Sequence, residues 1–560
     1  MAARFWLAVL AVFFGLVSGG QAAEMAPLKI IITTDIHGYV NFDPSRGYLG
    51  LARLQGYVTQ ARSQGWETFL LDSGDAFSGC AYAQVDRGRS VAALMGRLGY
   101  RVLTPGNHAF DHNQAEGDPL YYSHTLLETV RANSPGPVEA LALNLSYQGG
   151  PLPGVARSPV VIFDETAARP DGRRVVVTGV ITPYAARASL KDSLAGYDFG
   201  RAPGAGPSAA AATKSKILAD LAESLKPYDR PNDWVIVLSH VGQNERAEEV
   251  EGRLLGPDLA AVPNVDFVAD GHSHQEAAPQ KTGSAVYGNG GHYLTHFLEI
   301  DLGPDSAGMK LKTFAEAARC EPDQGVAAAV AALEEQYGLN EVLLVLPDSD
   351  LFRAPDRGQR SRSTPLGRLI ARSMARAAGA EVALHSQGGI RSGLLAGPVT
   401  VREFYDVIPF ANDLLTYRLT GRELGELFES YLAEGRGFQF YGLTAQVGPA
   451  GSGAGKDQRP LYGLTDSLGR LEPNQTYLVA VDGFLAGSGH GFSFRDKPLA
   501  QNHGDLTAAV IGELRTTREL NLDELRSNNI QSFKSRAEAL AATAPLSSER
   551  PDHGRHPTGF

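Results

Sequence analysis

Five polar turns, each closing a short apolar run, narrow the folds open to this chain. The runs are Leu28 to Thr33, Thr68 to Leu71, Arg101 to Leu103, Trp234 to Leu238 and Val265 to Val268. They are mostly β-branched and almost unbroken in apolarity, the pattern of strands buried on both faces. The turns read Asp35-Ile36-His37, Gly74-Asp75, Gly106-Asn107-His108-Ala109-Phe110-Asp111, Ser239-His240 and Gly271-His272-Ser273-His274. Helical spacing lies between some of the runs: Val91, Leu94, Met95 and Leu98 form one apolar face. The alternation predicts an α/β layered domain. In such a sheet, groups just beyond the carboxyl ends of the strands converge in one crevice.

Imidazoles, carboxylates and one amide oxygen suit a borderline divalent ion such as Zn²⁺, Mn²⁺ or Co²⁺, and the donors suffice for two. A carboxylate can bridge such a pair, and two ions roughly 3.5 to 4 Å apart can hold a hydroxide for in-line attack on phosphorus. Singly, an Asp-X-His or Ser-His at a strand end is an ordinary structural turn. Five in order point to a metal centre.

The chain has 560 residues, enough for more than one domain, and 43% of them are hydrophobic, so a sizeable core is available. Lys and Arg number 51 against 62 Asp and Glu, a net charge of −11, which excludes the positive field that draws duplex nucleic acid. Cys80 and Cys320 allow one disulfide at most and lack the paired spacing of a structural zinc site. Residues 1–23 carry an early Arg4, an apolar stretch from Phe5 to Val17, and small residues near Ala22 and Ala23. That is the pattern of a secretory signal peptide, predicting a protein exported to a periplasm or the medium. No later segment has the length and apolarity of a membrane span.

Beyond a first domain over 24–320, residues 321–342 predict a linker helix carrying Val326, Val330 and Leu333. A second α/β unit over 343–533 holds a helix from Leu366 to Ala378, with Leu369, Ile370, Met374 and Ala377 inward and Gly379 as its stop, and then a strand from Glu381 to Leu384. Loops rich in Gly, Ala and Pro are expected at Arg201 to Ala211 and Gly448 to Gly455, and a polar tail at 534–560.

With these residues in order, the chain resembles the calcineurin-like metallophosphoesterases, and among them the 5′-nucleotidase family with its second, C-terminal domain. The resemblance spans nearly all of the chain after residue 23. It implies a layered β-sandwich flanked by helices, then an α/β substrate-binding domain. It also implies that Asp35, His37, Asp75 and His274 hold one metal and that Asp75, Asn107, His240 and His272 hold the other, with Asp75 bridging. His108 would reach the phosphoryl group, oriented by Asp111. In the second half, the resemblance carries over to Gln359-Arg360-Ser361-Arg362, Gly388-Gly389-Ile390-Arg391, Pro409-Phe410-Ala411-Asn412 and Val481-Asp482-Gly483-Phe484. Arg360 and Arg391 would clamp phosphate through guanidinium forks. Phe410 and Phe484 would sandwich the base, and Asn412 would touch its edge.

Three positions depart from the family pattern. Ala109 stands where an acidic residue is usual, Ser386 where an asparagine precedes the glycines, and His490 where an aspartate accepts from ribose hydroxyls. A neutral imidazole accepts one hydrogen bond and a cationic one none, so the resemblance implies intact metal chemistry with either relaxed sugar recognition or another phosphate compound as substrate. The expected activity is release of phosphate from nucleoside 5′-monophosphates. The alternatives are a 2′,3′-cyclic-nucleotide phosphodiesterase, a UDP-sugar hydrolase, or an exported nucleotide-binding protein without turnover. Gly451 to Lys456 lacks the Ser or Thr of a phosphate-binding loop, and His292 and His296 read as turn and strand residues. Asn144-Leu145-Ser146 and Asn474-Gln475-Thr476 fit a glycosylation pattern.

Overall fold

The first strand shows how the layers arise. In Leu28–Thr33 every residue is buried: Ile30 and Ile32 point to one apolar cluster and Ile31 to another. A strand with two apolar faces needs a layer on each side. The computed structural model supplies both, and it describes residues 27–538 except 164–172, 186–191, 244–251, 304–306, 349, 355–362, 434–436, 450–458, 467–470, 489–491, 495, 518–519, 528, 533 and 537.

Two six-stranded sheets pack face to face. One runs Ala307–Thr313, His296–Leu302, Leu28–Thr33, Glu67–Asp72, Tyr100–Leu103 and Glu139–Ala140, parallel from Leu28–Thr33 onward. The other runs Glu276–Thr282, Ala285–Gly290, Phe267–Asp270, Asp233–His240, Arg174–Ile181 and Val160–Phe163, with its four inner strands parallel. Between the sheets lie Ile30, Ile32, Leu71 and Val102 from one side and Val175, Val177, Ile236 and Leu238 from the other. Helices Gly50–Ser63 and Arg89–Leu98 cover the outside of the first sheet and Gly206–Ser224 that of the second. Val91, Leu94, Met95 and Leu98 all face inward, as their spacing predicts.

A second α/β unit has a five-stranded sheet in the order Phe438–Tyr441, Val382–Ser386, Thr476–Asp482, Asp413–Thr420 and Leu499–Asp505. Helices Pro365–Ala378 and Leu506–Thr516 pack on one face and Gly421–Ala433 on the other. Gly379 ends the first of these in the left-handed conformation, φ 60°, as expected of a C-terminal stop.

Several boundaries differ from the sequence reading. The linker helix is Gln324–Gln336; Gly338, at φ 61°, lies just beyond its end, and Val342–Leu346 is a strand paired with Gly397–Thr400. The run at Val265 becomes a strand at Phe267–Asp270, because the Asp266 carboxylate accepts from Val235 N and holds the preceding turn. Residues 206–211, expected as loop, open helix Gly206–Ser224, whose Pro207 sits in the first turn where it loses no hydrogen bond. Ala377 is exposed, and Ala375 and Ala378 face inward instead. Cys80 and Cys320 are both free and buried, the latter donating to Gln60 Oε1. Asn144 is no glycan acceptor in the folded chain, since its buried side chain donates to Ile181 O and Phe199 O at 2.8 Å each. Residues 1–23 and the loop over 450–455 lie outside the described residues, as does nearly all of the tail. Among the described residues no helix is long and apolar enough to cross a membrane.

Candidate metal centre and substrate cavity

The turns after the parallel strands meet at one end of the sandwich. Asp35 N bonds to Gly74 O at 2.8 Å and His37 N to Asp75 O at 2.9 Å, so the first two turns are laced together through their backbones. Gly106 lies so close to Asp75 that a Cβ there would fall 2.0 Å from its Oδ1, and at Gly271 one would fall 2.6 Å from Asp35 Oδ2. Only glycine lets these turns close over the carboxylates. Asp35, His37, Asp75, His272 and His274 all adopt positive φ, between 48° and 70°, a region sparsely populated by non-glycine residues. Such strain gathers at functional sites.

Two groups of donors result. Asp35, His37 and His274 form one, and Asp75, His240 and His272 the other, with the donor atoms of each within 4.8 Å of one another. His37 Nδ1 lies 2.8 Å from Ser78 O and His240 Nδ1 2.8 Å from Ser73 O. A carbonyl accepts only, so each ring carries its proton on Nδ1 and turns the Nε2 lone pair into the site. His37 Nε2 and His274 Nε2 stand 3.1 Å apart, and Asp35 Oδ1, buried and among the described residues without a hydrogen-bond partner, has His274, His37 and His240 Nε2 at 3.4, 3.8 and 3.9 Å. Converging lone pairs and an unpartnered buried carboxylate oxygen fit divalent cations. Without a cation, burial together with neighbouring His274 pushes His37 down to about 3, while Asp75 and Asp35 outweigh burial and hold His240 up to about 10. His240 Nε2 lies 2.9 Å from Asp75 Oδ2, and His37 Nε2 lies 3.9 Å from the same oxygen, so Asp75 stands between the groups. Asn107 is buried on the turn next to Gly106.

His108 belongs to neither group, although its ring meets His37 edge-on with centroids 5.5 Å apart. Its Nδ1 meets Asp111 Oδ2 at 2.7 Å and its backbone N donates to Asp75 Oδ1 at 2.8 Å. Burial pushes the imidazole down, but Asp111 and Asp75 outweigh it and raise it to about 9. Ala109 is buried in the apolar cluster, where a carboxylate would be desolvated.

A cavity of about 180 Å³ joins the two units: His108 and Asp111 line it from one side, and Ser386, Arg391, Phe410, Asn412 and Phe484 from the other. The Arg391 guanidinium lies 5.5 Å from the Phe410 ring centre, and that ring is 6.3 Å from His108. Arg360 and His490 lie outside the described residues.

Three contributors escaped the sequence reading. Asp270 is buried at a strand end and accepts from Ser239 Oγ, Tyr287 Oη, Val241 N and Gly242 N, fixing the turn after His240. Its place directly before Gly271-His272 was the available signal. Asp482, also buried, accepts from Ser386 N and Leu485 N, tying together two walls of the cavity. The rings at 292 and 293 are the third, since His292 stacks on His274 with centroids 5.0 Å apart.

Residues 28–276 match the family model for calcineurin-like phosphoesterase, and residues 343–496 that for 5′-nucleotidase, C-terminal domain. The chain carries a calcineurin-like phosphoesterase domain followed by a 5′-nucleotidase C-terminal domain. This phosphoesterase is 24% identical over 492 residues to a 5′-nucleotidase of Vibrio vulnificus, covering 79% of this chain and 81% of that one. It is also 24% identical over 488 residues to the trifunctional nucleotide phosphoesterase protein YfkN of Bacillus subtilis, which aligns over 76% of this chain but only 30% of its own length. The chain therefore spans under a third of that relative. In fold it is similar to a 5′-nucleotidase precursor from Thermus thermophilus, with a TM-score of 0.60 and 20% identity over 91% of this chain and 100% of that one.

Proposed function

We propose that this phosphoesterase is an exported enzyme that releases phosphate from nucleoside 5′-monophosphates with two divalent ions. The observation that carries the reading is the cavity bordered by His108, paired with Asp111, on one side and by Arg391, Phe410 and Phe484 on the other, beside two carboxylate–imidazole groups. Export rests on the signal-peptide pattern of residues 1–23.

Asp35, His37 and His274 would hold one ion, and His240, His272 and Asn107 the other, with Asp75 shared. Ions bound there lower the pKa of water and offset the charge of phosphate oxygens. The protein's own groups do the rest. Ser78 O and Ser73 O keep His37 and His240 in the tautomer that presents Nε2. His108 keeps one proton on Nδ1 toward Asp111, and its Nε2–H is left to donate to a phosphoryl or leaving oxygen. Arg391 presents a fork suited to phosphate beside Phe410. Phe410 and Phe484 offer stacking faces worth on the order of 1–3 kcal/mol per base whatever the base, and Asn412 lies between them in sequence and on the same cavity wall.

The test is phosphate release and product identity from metal-stripped protein given Mn²⁺, Co²⁺ or Zn²⁺, with 5′-AMP, 2′,3′-cyclic AMP and UDP-glucose in parallel and Asp35→Asn as the blank. Turnover of 5′-AMP above the others is expected. Turnover of another ester alone would move the substrate assignment, and no metal-dependent turnover would leave a nucleotide-binding protein.

A further inference from the structure

The segment after strand Ala285–Gly290 is backbone-distorted and lies next to the metal centre. Tyr293 and Leu294 are consecutive non-glycine residues with φ of 56° each, a conformation bulky side chains rarely take. The tertiary structure pins them there: Tyr293 N donates to Asp35 O at 2.8 Å, and Leu49 N donates to Leu294 O at 3.2 Å. The first bond ties the distortion to the residue whose carboxylate belongs to the first donor group.

What the distortion achieves is the placement of one ring. Tyr293 meets His37 edge-on, with centroids 5.8 Å apart at 81°, and His274 edge-on at 5.5 Å and 77°. It is the aromatic wall common to both imidazoles of that group. On its other side, Tyr39 packs at 4.2 Å and Tyr48 at 5.6 Å. His37 has a second anchor in Ser78 O. His274 is a third exposed, and among the described residues no hydrogen bond reaches its Nδ1; rings flank it instead, His292 stacked at 13° and Tyr293 edge-on. In the second donor group His240 and His272 meet each other at 5.2 Å.

We propose that Tyr293 is a positioning residue: its ring braces His37 and His274 toward Asp35, and its left-handed backbone exists to put the ring there. The proposal rests on the two-ion reading above. It makes no use of the phenol hydroxyl. Groups that orient metal ligands without touching the metal typically change affinity by about 10- to 100-fold when removed.

Two variants separate ring from backbone. Tyr293→Gly deletes the ring and suits the left-handed conformation, so the fold is not strained by the change; Tyr293→Phe keeps the ring and drops the hydroxyl. Metal-stripped full chain is titrated with Co²⁺, followed by equilibrium dialysis and visible absorption. The native chain should take up two Co²⁺. Tyr293→Gly should keep one with native affinity and bind the other at least about tenfold more weakly, with a changed visible band. Tyr293→Phe should match the native chain within about twofold, far inside the span expected for a lost brace. Two ions bound natively by Tyr293→Gly would overturn the brace while leaving the two-ion reading intact, and so would equal loss in both variants or loss of both ions from Tyr293→Gly. Fewer than two ions in the native chain would bring down the two-ion reading and the brace with it.

Discussion

Asp75 and His108 sit one hydrogen bond apart, through His108 N and Asp75 Oδ1 at 2.8 Å, yet their surroundings assign them different work. Asp75 Oδ2 faces imidazoles of both donor groups. Asp75→Asn should therefore lower occupancy at both ions together, measured as metal per chain. His108→Ala should leave metal content near two per chain and reduce kcat by roughly 10²- to 10⁴-fold, the usual contribution of a general acid or base. Equal metal loss in the two variants would defeat this division of roles. The identities of all these residues were legible in the sequence because each follows an apolar run. Their backbone was not: nothing in Asp35-Ile36-His37 announces φ of 48° at both ends, which the lacing to Gly74 and Asp75 imposes. Tyr293 was invisible for the same reason, since its neighbours come from residues 37, 39, 48 and 274.

Among elements, the strand Leu28–Thr33 was readable to the residue, because burial on both faces leaves an unbroken apolar run. Helix ends were less so. A turn such as Gly338 competes with helical periodicity, and pairing of Val342–Leu346 with Gly397–Thr400 decides the outcome from a distance. Helix Gly421–Ala433 offers a measurable case of end chemistry. At its start Glu423 accepts from Thr420 N at 2.8 Å and Thr420 Oγ1 at 2.9 Å, and pairs with Lys497. Chiefly Lys497, then Thr420, lowers Glu423 from 4.5 to about 2. A carboxyl lowered on folding contributes stability above its unfolded value, and that contribution is lost as pH falls through the folded one. Glu423→Gln should thus lower stability by about 1 kcal/mol or less at pH 7, since the pair is partly solvated. Urea unfolding at pH 7 and near pH 2 should show the difference from the native chain shrinking in acid. A penalty independent of pH would mean the cap acts without charge.

At the scale of the whole molecule the two units meet around Asp406, which accepts from Arg46 Nη1 at 2.6 Å and from Tyr39 Oη at 3.3 Å. Gln84 Nε2 donates to Pro409 O at 2.6 Å, one residue before the cavity wall at Phe410. Asp406→Ala removes the shared acceptor, so KM for 5′-AMP, the substrate proposed above, should rise several-fold while metal content is unchanged; a lower kcat with constant KM would place its effect on chemistry instead. Ions that bind only the folded chain stabilise it by mass action, about 2.7 kcal/mol at a hundredfold excess over Kd. A chelator should therefore lower Tm, and added Co²⁺ or Mn²⁺ should restore it. By itself the sequence determined the α/β layering, the order of turns and the residue types that gather at their ends, because periodicity and strand-end chemistry are local. Only the tertiary structure decided which lone pairs converge, which backbones are held left-handed and which two walls enclose the cavity. Those depend on contacts between residues as far apart as His37 and His274, where local propensity has no say.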